Sequence, residues 1–382
     1  MSLTRRHLMA ALPRVAAVAG TASRLRFAPR GFALAAAPAG AASARTEAEN
    51  GMETLGDRID HAHTSGVLAD VHAILVRRGA RTVARYFSGA DNAWGRDLGT
   101  VTFGPQVLHD LRSITKSVVS LLYAVALERG EVPPPDAPLL AQFPAYADLA
   151  AEPPRAAWTV AHALDMTMGT HWNEDLPYSD PNNSEIAMER APDRFRFVLD
   201  RPLAAAPGTE WRYNGGATAL IGHLIERGME MDLPSAARRH LFDPLGIETT
   251  EWVRGADGTA SAASGLRMTA PDLAKIGRLV LDGGVWDGRR VVPADWIASL
   301  ATPAAHTPFG LGYARQWYTS EQPVDGGAAV APMLSGMGNG GQRLFVLPGL
   351  DLVAVLFCGR YDQPDQWLNP VIVLQRLILA DV

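Results

Sequence analysis

Cysteine and lysine are nearly absent from this chain of 382 residues: Cys358 stands alone, and of 35 basic residues only Lys116 and Lys275 are lysine. A lone cysteine excludes an intramolecular disulfide, and no Cys/His group has the spacing of a zinc motif, so no structural metal is expected. Size makes such staples unnecessary, because a chain of this length buries roughly three quarters of its unfolded surface on folding. Beyond the N-terminal segment no stretch reaches the ~18 uninterrupted apolar residues of a membrane span. Positive charge is scarce as well. Residues 1–44 hold six Arg and no acid, which leaves 29 basic against 40 acidic groups, a net of −11, over 45–382. That balance argues against nucleic acid as a partner, since displacing phosphate counterions needs basic surface. No G-x-S-x-G elbow occurs, which disfavours an α/β-hydrolase, and no fixed-period repeat is present.

What is present begins with an address. Thr4-Arg5-Arg6-His7-Leu8-Met9, Ala-rich apolar stretches and a closing Ala42-Ser43-Ala44 predict a twin-arginine-type leader over 1–44 and an exported, periplasmic or secreted protein of 45–382. Within 45–382, β-branched and aromatic runs at 73–76 and 82–87 flank Arg78-Gly79-Ala80, and runs at 343–347 and 352–357 flank Pro348-Gly349, so each pair reads as a hairpin. Helical spacing appears over 113–128, 159–166, 217–230, 271–281, 293–300 and 367–379. The economical assembly is α+β: one antiparallel sheet made from both chain ends and flanked by helices, with a mainly helical lobe inserted over about 132–260. A cleft between the two is the expected site.

Ser113-Ile114-Thr115-Lys116 opens the most apolar of these helices, closed by Gly130. Residues three apart share a helix face, so Lys116 can reach back to the Ser113 hydroxyl, beside the unpaired N–H groups of the helix N-terminus. A free hydroxyl needs a nearby base to act as a nucleophile. Lysine, with a reference pKa of about 10.4, serves only where burial lowers that value by roughly three units, and the apolar helix offers such desolvation. The alternative is local: Ser113 caps the helix and Lys116 extends to solvent.

Two further segments carry chemistry. Tyr213 follows Pro207-Gly208 and precedes Asn214-Gly215-Gly216 at the entry to a helix, where a tyrosine beside a lysine can relay a proton. Gly336-Met337-Gly338-Asn339-Gly340-Gly341-Gln342 matches G-x-G-x-x-G in form, but a strand follows, so a dinucleotide site is rejected. Glycines ahead of a strand let a substrate approach the backbone and let the strand offer an N–H to an oxyanion, worth roughly 10²–10³ in rate. Trp172, Glu174, Asp175 and Tyr178 form an acidic aromatic loop that either lines the cleft or faces solvent, the commoner case. His61 and His63 lack further ligands and read as surface histidines. Lys275-Ile276-Gly277 lies in helical spacing and is set aside.

Taken in order, Ser113-x-x-Lys116, Tyr213 and Asn339-Gly340-Gly341 resemble the motifs of the penicillin-recognising serine hydrolases. The likeness is strongest to the class C β-lactamase-like branch with its esterases, D-amino-acid peptidases and 6-aminohexanoate-dimer hydrolases. The resemblance implies a β-lactamase/transpeptidase-like fold and an acyl-enzyme route needing no cofactor. By it Ser113 is the nucleophile, Lys116 its base and Tyr213 a second acid/base, with the backbone N–H groups of Ser113 and Gln342 as oxyanion hole. Asn214, Asn339, Gly341 and Gln342 are then the expected substrate-binding residues. Two departures matter. The family's Tyr-x-Asn is Tyr213-Asn214-Gly215 here, and its Lys-Thr-Gly or His-x-Gly is Asn339-Gly340-Gly341, which removes the cation that would hold a β-lactam carboxylate. The expected substrate is therefore a small-molecule ester or simple amide; the alternative is a non-catalytic or peptidoglycan-related relative of the penicillin-binding type.

Overall fold

Side chains that alternate between two faces build the centre of the molecule. The computed structural model describes residues 54–380 and 382, so the leader read over 1–44 lies outside the described residues. Strands β1 (Val71–Arg78) and β2 (Arg81–Tyr86) form the first expected hairpin, turning at Gly79 with φ +59°. A ribbon of β3 (Ser88–Ala93) and β4 (Arg96–Thr102) follows. Short β5 (His109–Asp110), β6 (Glu251–Trp252) and β7 (Leu266–Met268) pair in the order β5-β7-β6, and β8 (Val285–Trp286) pairs with β9 (Arg289–Arg290). The chain then returns through β10 (Ala305–His306), β11 (Gly312–Ala314), β12 (Trp317–Val324), β13 (Ala329–Gly338), β14 (Gln342–Leu347) and β15 (Leu352–Cys358). These join β1 and β2 in one eight-stranded antiparallel sheet, ordered β10-β11-β12-β13-β14-β15-β1-β2. Both chain ends therefore meet at the β15–β1 pair, as the α+β reading expects.

Strand β15 shows how the sheet is clothed. Val353, Val355 and Phe357 enter the core that holds the Ile114–Glu128 and Ala270–Leu281 helices. Their neighbours Leu352, Ala354, Leu356 and Cys358 face the opposite core, with Leu55 and Ile59 of a helix over 54–64 and Leu374 and Ile378 near the C-terminus. At roughly 1.5–3 kcal/mol for each large aliphatic or aromatic side chain buried, these two layers fix the register, because a one-residue slip would exchange the faces. Between β5 and β6, apart from isolated bridges, the described chain makes helices and turns, among them Val160–Leu164, Ser184–Arg190 and Gly215–Met229. The Ile114–Glu128 helix is wedged between sheet and helices and buried from Ile114 to Ala126, which accounts for its apolar residues all round.

Candidate active site

Arg112 hands the chain from β5 into the Ile114–Glu128 helix with φ +50°, a left-handed conformation uncommon outside glycine. Its guanidinium is held by Asp110 at 3.0 Å and Asn92 at 2.6 Å and lies over the Tyr361 ring. Ser113 occupies the N-cap position, yet its hydroxyl makes no capping hydrogen bond. Instead it accepts one from Lys116 Nζ at 3.1 Å. Lys116 is 1% exposed and does not extend to solvent. Of the two local alternatives, the structure shows the serine–lysine pair.

The surroundings of that lysine differ from the apolar pocket expected. Its Nζ also donates to the Ala263 carbonyl at 2.9 Å, stands 3.9 Å from Glu185 Oε2 and lies over the Tyr213 ring, 4.8 Å from its centre. Glu185, on the Ser184–Arg190 helix, is fully buried and takes a hydrogen bond from Ser264 Oγ. Beside it Glu174 accepts from Trp172 Nε1 at 2.5 Å and from the Gly215 backbone N–H at 2.6 Å, and Tyr178 OH lies 3.2 Å from a carboxylate oxygen of each. Burial, and next the charge of Glu185, raise the Glu174 pKa to about 7. The acidic aromatic loop is thus split rather than solvent-facing: Trp172 and Glu174 are buried, Asp175 is exposed and Tyr178 lies between. Sequence reading found Glu174 but gave no sign of Glu185 or Ser264, whose positions near Lys116 depend on long-range packing.

The Tyr-Asn-Gly departure has a steric basis. A Cβ on Gly215 would lie 2.9 Å from Glu174 Oε1 and 3.1 Å from Glu185 Oε2, so the carboxylates fill the space a third-position side chain would take. Asn214 faces structural partners: its Oδ1 caps the Gly215–Met229 helix through Ala217 N, and its Nδ2 donates to Thr170 Oγ1.

In the glycine-rich segment, the end of β13 lies against the serine helix. A Cβ on Gly336 would meet Ile114 and Ser117, and one on Gly338 would strike the Leu111 carbonyl. Pairing of β13 with β12 reaches Ser335, while β14 pairs with β13 through Gly338. The residues expected to bind substrate here are tied elsewhere. Asn339 donates to Asp362, Gly341 packs on Cys358, and the Gln342 side chain spans the Cys358 backbone and the Asn339 carbonyl. Arg343, next in sequence, donates to the Gly338 and Gln342 carbonyls rather than standing in for the missing motif cation. Lys275 lies in the Ala270–Leu281 helix and bonds to Asp272 and the Gly246 carbonyl. Beside Tyr213 a partly exposed wall of Trp211, Phe309 and Met337 packs on Tyr313 and Tyr318.

Comparison with known proteins agrees with this architecture. Residues 54–375 match the Beta-lactamase family. The chain is 27% identical over 335 residues to the 6-aminohexanoate-dimer hydrolase of Paenarthrobacter ureafaciens, covering 81% of this chain and 77% of that one. Among solved structures it is similar to EstCE1, a hydrolase with promiscuous acyltransferase activity, with a TM-score of 0.66, 15% identity and 84% and 98% of the two chains covered. It is also similar to an octameric penicillin-binding protein homologue from Pyrococcus abyssi, with a TM-score of 0.63, 17% identity and 86% and 77% covered. The solved structures speak for the fold.

Proposed function

Because the chain belongs to the beta-lactamase family and has its β-lactamase/transpeptidase-like fold, we propose that it is a class C-like serine hydrolase that cleaves small esters or simple amides through an acyl-enzyme. The observation that carries this reading is the Ser113 hydroxyl, free of any capping role and held at 3.1 Å by a buried Lys116. Lys116 Nζ first gives its extra proton to the buried Glu185–Glu174 carboxylates, 3.9 Å away at Glu185 Oε2, and as the neutral amine it takes the Ser113 proton while Oγ attacks the substrate carbonyl. Tyr213, against Lys116, then hands a proton to the leaving alcohol or amine, and water releases the acid by the reverse relay. The Ser113 N–H at the helix N-terminus supports one side of the oxyanion. The second donor is the Gly336–Gly338 edge of β13, which lies against that helix, in preference to Gln342.

Substrate preference follows from charge and from the wall. Arg112 and Arg343 are engaged by Asp110, Asn92 and backbone carbonyls, so neither is available to clamp a carboxylate as a β-lactamase would. Trp211, Phe309 and Met337 offer apolar area for an acyl or alkyl group. Export by the 1–44 leader is part of the proposal and rests on Arg5, Arg6 and Ala42-Ser43-Ala44.

A fluorophosphonate probe tests the reading: it labels the folded chain, and Ser113→Ala removes the label. Absence of a labelled serine in folded wild type would overturn the enzyme. A screen of p-nitrophenyl esters, short amides and nitrocefin is expected to show ester turnover with nitrocefin slow or unhydrolysed, and rapid nitrocefin turnover would overturn the substrate preference.

A further inference from the structure

Where β1, β3 and β5 approach one another, three side chains that no sequence spacing connects come together. His72 of β1, Asp91 of β3 and His109 of β5 are all buried, with ligand atoms within 4.8 Å of one another. Asp91 stands at a register shift in the β3–β4 ribbon, the kind of irregularity that re-aims a side chain. The rings are clamped by aromatic neighbours, His72 on Phe103 at 4.3 Å and His109 on Phe357 at 4.6 Å.

The hydrogen bonding of this group does not close. His109 Nδ1 lies 3.0 Å from the Asp110 carbonyl oxygen, which only an N–H can satisfy, so its Nε2 is bare. That bare nitrogen is 2.9 Å from His72 Nδ1. A proton on His72 Nδ1 bridges the two rings but leaves His72 Nε2 bare and buried without a partner. Moved to Nε2, on a ring within reach of the Ala90 carbonyl, the proton leaves two lone pairs facing each other. A second proton on either ring would place a cation at a fully buried position walled by Phe103 and Phe357. Asp91 Oδ1 stands 3.7 Å from His109 Nε2 and 4.0 Å from His72 Nδ1, accepts from Tyr361 OH at 3.0 Å, and its Oδ2 also lacks a partner.

We propose that His72 Nδ1, His109 Nε2 and Asp91 form a buried structural site for one divalent cation of the zinc class. Two imidazoles and a carboxylate suit such an ion, and donors bound at about 2.0–2.2 Å in a tetrahedron stand ~3.3 Å apart, between the separations seen here. The outer contacts have the form that orients metal ligands: a carbonyl on His109 Nδ1, the Ala90 carbonyl by His72 and the Tyr361 hydroxyl on Asp91. Bound there, the ion ties β1, β3 and β5 together and fixes the strand that leads through Arg112 into Ser113. An enclosed site of this kind is loaded as the chain folds.

The test refolds the full-length chain from urea with and without Zn²⁺, then removes loose metal. About one equivalent of zinc is expected per chain, with a higher Tm for the zinc-refolded sample. X-ray absorption of the wild type should show two imidazoles bound to zinc. His72→Gln and Asp91→Asn should lose the metal while retaining their circular dichroism. Folded wild type holding under about a tenth of an equivalent, a zinc shell without two imidazoles, or a folded His72→Gln with full zinc content would each overturn the site. Should the variants fail to fold, the wild-type stoichiometry and absorption spectrum decide.

Discussion

Two buried polar groups flank the step from Arg112 to Ser113, and they handle burial in opposite ways. Around Lys116, two carboxylates and an amine are enclosed, yet their oxygens find Trp172, Tyr178, the Gly215 N–H and Ser264. Around His72, one carboxylate and two rings leave His72 Nε2 and Asp91 Oδ2 without partners. A buried polar atom without a hydrogen bond costs about 1–3 kcal/mol, so a folded protein rarely tolerates several in one place. The first cluster is complete from the chain's own atoms. The second closes in neither neutral form of His72, and the proposed cation on His72 Nδ1 and His109 Nε2 would set which ring nitrogen carries the proton.

The largest effect expected from breaking the first cluster comes from Lys116→Arg. Guanidinium remains protonated and cannot take the Ser113 proton, so acylation by a p-nitrophenyl ester should slow on the order of 10³-fold, about 4 kcal/mol in barrier. Lys275→Arg is the matched control on a partly exposed helix face, with an expected change within about 0.5 kcal/mol in stability and none in acylation rate. Stopped-flow acylation compares the pair, and full activity in Lys116→Arg would remove the lysine from the relay.

A smaller effect concerns the carboxylates. The Glu174 pKa rises on folding from 4.5 to about 7. Its folded form therefore keeps a proton that the unfolded chain has released, and stability from this group falls as pH rises through that window, by at most roughly 3 kcal/mol. Urea melts at pH 5 and pH 7.5 should show this decline, and Glu174→Gln should flatten it. An unchanged slope in the variant would assign the proton to another group.

How much of this could be read in advance depended on range. The β1–β2 and β14–β15 hairpins were legible because period-two patterning and the Gly79 and Pro348-Gly349 turns lie within a few residues of each other. Ser113 and Lys116 were legible for the same reason, being one helical turn apart. The β12–β13 pair was not: Pro323 and Pro332 interrupt it and much of its length is exposed, so its alternation is faint. In the glycine-rich segment the residues were visible but not their facing. That depends on strand register, which turns Gly336 and Gly338 toward the serine helix and ties Gln342 to Cys358. Glu185 reaches Lys116 across 69 residues of sequence, and His72, Asp91 and His109 come from three strands, so no local motif could announce either cluster.

Asn214 gives the finest comparison, because substrate binding and helix capping predict different losses at one position. Its Oδ1 takes the Ala217 N–H at 3.1 Å, its Nδ2 donates to Thr170, and it is 3% exposed. Capping also fixes the helix start at Gly215, whose N–H bonds to Glu174. As a cap, Asn214→Ala should lower stability by about 1 kcal/mol, read in urea melts, and leave KM for a p-nitrophenyl ester near that of wild type. Asn214→Ser, with a hydroxyl able to cap, should recover most of that loss. If KM rises in both variants while stability holds, Asn214 touches substrate, and the Lys116 cluster gains a ligand-facing member in place of a structural support.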